Sequence, residues 1–133
     1  MKPNKRVTIS ETADASLRSL GATEEEASNI QAKYRDASYL VNTINEAQFS
    51  GIPPRAIVSV LIIVNPKEAK FLLPKNSFWL KIKYILENHP GLSADNMVFL
   101  ACSSINIKEF ITMIETYGVE RVISFLDMEK IFS

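Results

Sequence analysis

Three short apolar runs, residues 56–64, 97–102 and 121–126, most constrain what this chain can become. The first two are apolar at nearly every position, as strands covered on both faces must be. Helical segments over about residues 77–88 and 106–117 separate them, each preceded by a capping residue and followed by glycine. Apolar runs alternating with helices predict βαβ units and a parallel sheet. The longest run, 56–64, belongs in the middle, which gives the strand order 2-1-3 with a crossover helix on each face. The fold class expected is therefore α/β: a three-layer domain with a short, mostly parallel sheet and an N-terminal helical extension.

That extension reads clearly. Residues 10–20 form a short helix stopped by Gly21, and Thr23 with Glu26 makes a capping box for a second helix. Ala27, Ile30, Tyr34, Ala37, Val41 and Ile44 step by three and four, so one apolar stripe runs to about Gln48 before Ser50, Gly51, Pro53 and Pro54 end it. A continuous helix of about 25 residues spans roughly 37 Å and overhangs sheet helices of about 17 Å. Its stripe then packs within the molecule or pairs with another chain.

At 133 residues, 47% apolar and 23% charged, the chain has the size and composition of one globular domain, residues 1–133, with a helical segment over 1–50 and a βαβαβ core over 55–133. Fifteen basic and fifteen acidic side chains cancel, which removes any strong overall attraction to nucleic acid or anionic membrane. A single cysteine, Cys102, forbids an internal disulfide and fits a reducing, cytoplasmic setting. Lys2, Lys5 and Arg6 precede no apolar stretch of the secretory kind, and the run 56–64 is too short for a bilayer. A soluble protein with no membrane contact is expected.

Chemistry in such a sheet gathers at the strand tips, here Asn65-Pro66, Cys102-Ser103-Ser104 and Leu126-Asp127. The first tip has no glycine, so neither a Walker loop nor a dinucleotide fingerprint fits it. Ser103 and Ser104 precede a helix and read as ordinary N-caps before they read as anion ligands. Cys102 with His89 as base and Asp127 as orienter is a nucleophile arrangement on paper, but a cysteine closing an apolar run is normally buried filler. One histidine and one cysteine without CxxC spacing supply no zinc set. Glu24, Glu25 and Glu26 favour the positive end of a helix dipole. No catalytic residue, cofactor or metal ligand is expected.

Binding features are better represented. On the helix 77–88, Phe78, Trp79, Ile82, Ile85 and Leu86 share one face while Leu80 and Tyr84 lie opposite. Leu80 and Tyr84, with the stripe residues Tyr34 and Val41, are the candidate contacts for a protein partner or for self-association. The alternative is a single-stranded nucleic-acid binder. Lys67, Lys70, Lys75, Lys81 and Lys83 are interleaved with Phe71, Phe78 and Trp79, a mixture that can hold a strand by charge and stacking. Lys75, Trp79, Lys81 and Lys83 are its candidate contacts.

The stretch from Asn96-Met97-Val98-Phe99-Leu100 through Ile107-Lys108-Glu109-Phe110 to Glu120-Arg121-Val122-Ile123-Ser124-Phe125 resembles the uracil-DNA glycosylase-like fold. Within it, the chain is similar to the small non-catalytic psi-subunit family of the bacterial DNA polymerase III clamp-loader assembly. The resemblance implies an accessory subunit of a DNA replication or other DNA-linked complex. Ile63-Val64-Asn65-Pro66 matches the glycosylases' first motif only loosely, and no histidine follows Leu126. Both departures point away from base excision and toward a non-catalytic interaction domain, with a degenerate glycosylase relative as part of the nucleic-acid alternative.

Overall fold

The computed structural model describes residues 8–64 and 76–132, with residues 76 and 130–132 through their backbone alone. Among the described residues there are eight helices and no strand: α1 (Ile9–Ser19), α2 (Glu24–Lys33), α3 (Ala37–Phe49), α4 (Pro54–Ile63), α5 (Asn76–Asn88), α6 (Ala94–Ala101), α7 (Ile107–Tyr117) and α8 (Val119–Phe132). The expected α/β fold, the parallel sheet and the order 2-1-3 are thereby overturned. The likeness to the uracil-DNA glycosylase-like fold loses the sheet on which it rested.

Each presumed strand is a helix. Residues 56–64 fall largely in α4, which opens on Pro54, a residue whose missing N–H costs nothing in a first helical turn. The Pro53 carbonyl accepts from the Ile57 amide at 3.1 Å, starting the helical ladder. Ile57, Val58, Val60 and Leu61 are buried, leaving Ile62 partly exposed; that is the wide inward stripe of a helix, not the alternation of a half-covered strand. Residues 97–102 belong to α6 and its C-cap; Ser93 caps its start, the hydroxyl accepting from the Asn96 amide at 3.2 Å. Residues 121–126 lie in the middle of α8.

The single long N-terminal helix is also corrected. Tyr34 leaves the helical region with φ −104° and ψ 89°, and Asp36 then caps α3, its carboxylate accepting from the Tyr39 amide at 3.1 Å. A well-placed cap at Asp36 outweighs the continuity of the apolar stripe, because a side-chain acceptor satisfies amides that a new helix start would otherwise orphan. No overhang remains to be explained.

The chain parts into two compact units, with the division between Ile62 and Ile63. In the first unit α1 packs on α2 and α3. Ala13 and Leu17 of α1, Ala27 and Ile30 of α2, and Leu40, Ile44 and Ala47 of α3 are buried there. The Thr23–Glu26 capping box forms as expected, at 3.1 Å and 3.0 Å. α2 and α4 are tied twice. Arg55 reaches Glu26 at 2.8 Å, and seven residues further along both helices Lys33 donates to the Ile62 carbonyl. Two ties with the same offset align α2 and α4 side by side in the same direction.

In the second unit α5 packs on α6 and α7, and α8 on α6 and α7. α5 buries Phe78, Trp79, Ile82 and Ile85 and α6 buries Met97, Val98, Leu100 and Ala101, with Phe110, Ile114 and Val122 completing the buried set. The Phe78 and Trp79 rings stand nearly perpendicular, 5.1 Å between centroids, an arrangement aromatic quadrupoles favour. Each such side chain removed from water contributes about 1.5–3 kcal/mol.

Candidate interaction surface

In α7, Phe110 and Ile114 sit four residues apart and fill the core, while Met113 and Tyr117, also four apart, border that face. Asn106 caps the helix, accepting from the Glu109 amide at 2.9 Å, and the Gly118 amide closes it on the Ile114 carbonyl at 2.8 Å. Gly118 has φ 86° and ψ 154°, a conformation essentially reserved for glycine. α8 begins at the next residue, so one residue joins the two helices.

The result is a groove of about 440 Å³ lined by Met113, Tyr117, Arg121, Val122 and Phe125. Val122 is buried at its floor, whereas Tyr117 is 58% exposed and Phe125 55%. Met128, one turn beyond Phe125, is 58% exposed. Beside the groove a shallower hollow at the helix joint adds His89, Glu120 and Ser124 and shares Tyr117 and Arg121. Among the described residues no ion pair reaches Arg121. Aromatic residues, methionine and arginine are the types most enriched where protein interfaces bury their centres.

The sequence-derived candidates lie elsewhere. Tyr34 is buried at the α2–α3 break, stacked on Tyr39 at 6.4 Å, and Val41 is half-buried in α3. Leu80 and Tyr84 are half-buried on α5, and Tyr84 packs edge-on against Phe110 at 6.4 Å with His89 at 6.1 Å. Burial pushes the Tyr84 phenol above its ordinary pKa, and neighbouring Glu115 adds to the rise. Tyr34 is thus taken up in the molecule's own packing, whereas Val41, Leu80 and Tyr84 keep part of their surface in solvent.

For the nucleic-acid alternative, Lys67, Lys70, Phe71 and Lys75 lie outside the described residues. Trp79 is fully buried and Lys81 is only 2% exposed; the Lys81 ammonium donates to the Ser103 carbonyl at 2.7 Å and lies 5.5 Å from the Phe110 ring. Neither presents a stacking platform or a phosphate contact to solvent. Lys83 is half-buried.

Cys102 is the C-cap of α6, His89 follows α5, and Asp127 is an exposed residue of α8, so the three belong to three different elements. The expected serine caps give way to Asn106, which takes the cap position while Ser103 receives Lys81. Glu24, Glu25 and Glu26 occupy the first turn of α2, where Glu26 also grips Arg55. The Arg55 guanidinium, then the Thr23 amide, lower its carboxyl pKa to about 2. The described residues hold no cluster of three or more metal-ligating side chains, and none of their helices is long and apolar enough to cross a membrane.

Met113, Tyr117, Arg121, Phe125 and Met128 were not singled out by sequence, although the signal exists. Arg121, Phe125 and Met128 stand at i, i+4 and i+7, one face of a helix, a relation invisible once residues 121–126 are read as a strand. Comparison with family models, curated proteins and solved structures finds no match for this chain.

Proposed function

We propose that this protein is a non-catalytic helical interaction module and that its contact face is the α7–α8 groove. The observation that carries the reading is the gathering of Tyr117, Phe125 and Met128, each more than half exposed, around an arginine on one face of the second unit. Half-exposed side chains of this size leave on the order of 300 Å² of apolar surface together, the scale at which a patch on a small protein is often functional. Apolar residues exposed singly, such as Phe49 at 92%, carry no such implication.

Photo-crosslinking tests it. A benzophenone amino acid placed at position 125 in the full-length chain, inside the cells that make it, is expected to yield discrete protein adducts. Those adducts should disappear in the Met113→Ser, Tyr117→Ser background. The same probe at position 49 is the control. No adduct from position 125, or the same pattern from both positions, removes the proposal.

A further inference from the structure

Along α8 the residues Arg121, Phe125, Met128 and Glu129 fall at i, i+4, i+7 and i+8, and all four are exposed on one stripe of the helix. Among the described residues neither Arg121 nor Glu129 has an ion-pair partner. The stripe thus runs from a cation through two large apolar groups to an anion, and it is complementary to itself when reversed. Arg121 and Glu129 each stand four residues from Phe125, while Val122 and Met128 each stand three from it.

We propose that the occupant of this face is a second copy of the same chain, with the two α8 helices antiparallel about a two-fold axis at Phe125. The inference rests on the reading of this face as an interaction surface. In that arrangement Arg121 meets the partner's Glu129 twice over, and the two Phe125 rings pack together at the axis. The partner's Met128 comes opposite Val122, the floor of the groove that Met113 and Tyr117 wall. A flexible thioether suits such an irregular apolar slot. A parallel pairing is disfavoured because it opposes Arg121 to Arg121 and Glu129 to Glu129, whereas an isologous contact needs one patch that complements itself.

The exposed apolar area is well below the ~800 Å² per partner of a standard stable interface, so the dimer is weak, with a dissociation constant of roughly 10–100 μM. Sedimentation equilibrium of the full chain over a concentration series spanning that range measures it. Arg121→Glu and Glu129→Arg each place like charges opposite one another and should weaken association about tenfold. The double variant Arg121→Glu, Glu129→Arg restores both pairs and should return to within about threefold of the original. All three variants change only exposed side chains, and circular dichroism verifies their helix content. A chain that stays monomeric across the series, or a double variant no better than the singles, overturns the dimer. A monomer whose position-125 probe still captures a different protein sinks the dimer while leaving the interaction reading standing. Absence of both dimer and adduct sinks both.

Discussion

The unit before residue 63 joins its helices with polar ties, Gln31 to Asp14 at 2.8 Å, Arg55 to Glu26 and Lys33 to the Ile62 carbonyl; the unit after it packs aromatics inside and leaves Tyr117, Phe125 and Met128 facing water. Ties between exposed side chains contribute little net stability, commonly below about 1 kcal/mol, but they fix which residues of two helices lie abreast. The first unit therefore uses its surface to hold register. In the second unit Tyr84 of α5 packs its ring against Phe110 of α7 and Lys81 donates to the Ser103 carbonyl, while among the described residues no ion pair reaches Arg121 or Glu129 on the outer face of α8.

Trp79 is where this contrast breaks most visibly. Trp79→Ala should lower the unfolding free energy by about 3–5 kcal/mol in urea titration, since a fully buried indole leaves a cavity that its neighbours only partly fill. A loss no bigger than that of a surface change would mean the aromatic core is not what holds the second unit. Leu17→Ala is the counterpart in the first unit, where the side chain is fully buried, and should cost about 2–5 kcal/mol in the same titration. Thr23→Ala removes the capping hydroxyl of α2 and should cost about 1 kcal/mol.

The Glu26–Arg55 tie sharpens the contrast through pH. Arg55 and the Thr23 amide depress the folded-state pKa of Glu26 from 4.5 to about 2. A carboxyl with a depressed folded pKa adds stability that is fully present above its unfolded value and lost as pH falls through the folded one. Urea midpoints measured from pH 5 to pH 2 should fall less steeply for Glu26→Gln than for the parent chain, and identical slopes would show that the tie is idle. Smallest of all is Phe125→Ser. It should shift stability by no more than about 0.5 kcal/mol, because the ring contributes to an outer face and not to the core. A larger loss would mean that Phe125 is structural.

Local signals in the sequence proved dependable where a specific side chain satisfies a specific backbone group. The stop of α1 at Gly21 and the Thr23–Glu26 box were legible for that reason, and the helices expected over about 77–88 and 106–117 are found as Asn76–Asn88 and Ile107–Tyr117. The sheet was misread because an apolar run of six to nine residues carries no period that separates a buried strand from a buried helix turn. Val58, Val60 and Ile57 favour strands by intrinsic preference, yet burial in a helical environment overrides a preference worth a few tenths of a kcal/mol each. The cues that favour helix were present at the margins, Pro54 as a first-turn residue and Ser93 as a cap before 94–101. The proposed contact face was hidden by the same error, since Phe125 and Met128 join Arg121 on one side only in a helix. Lys81 shows the converse limit. Nothing local in the sequence announces that a lysine in a basic stretch will be drawn inside onto a carbonyl and an aromatic ring.

Gly118 carries more than its size suggests. A methyl group built there would meet no atom within 4 Å, so the barrier to replacement lies wholly in the main-chain torsions and not in crowding. The aperture between Tyr117 and Arg121 is accordingly governed by a pivot of two rotatable bonds. Sequence drift can repaint every wall of the recess and keep its geometry, whereas exchanging this one residue re-aims α8 and everything displayed on it.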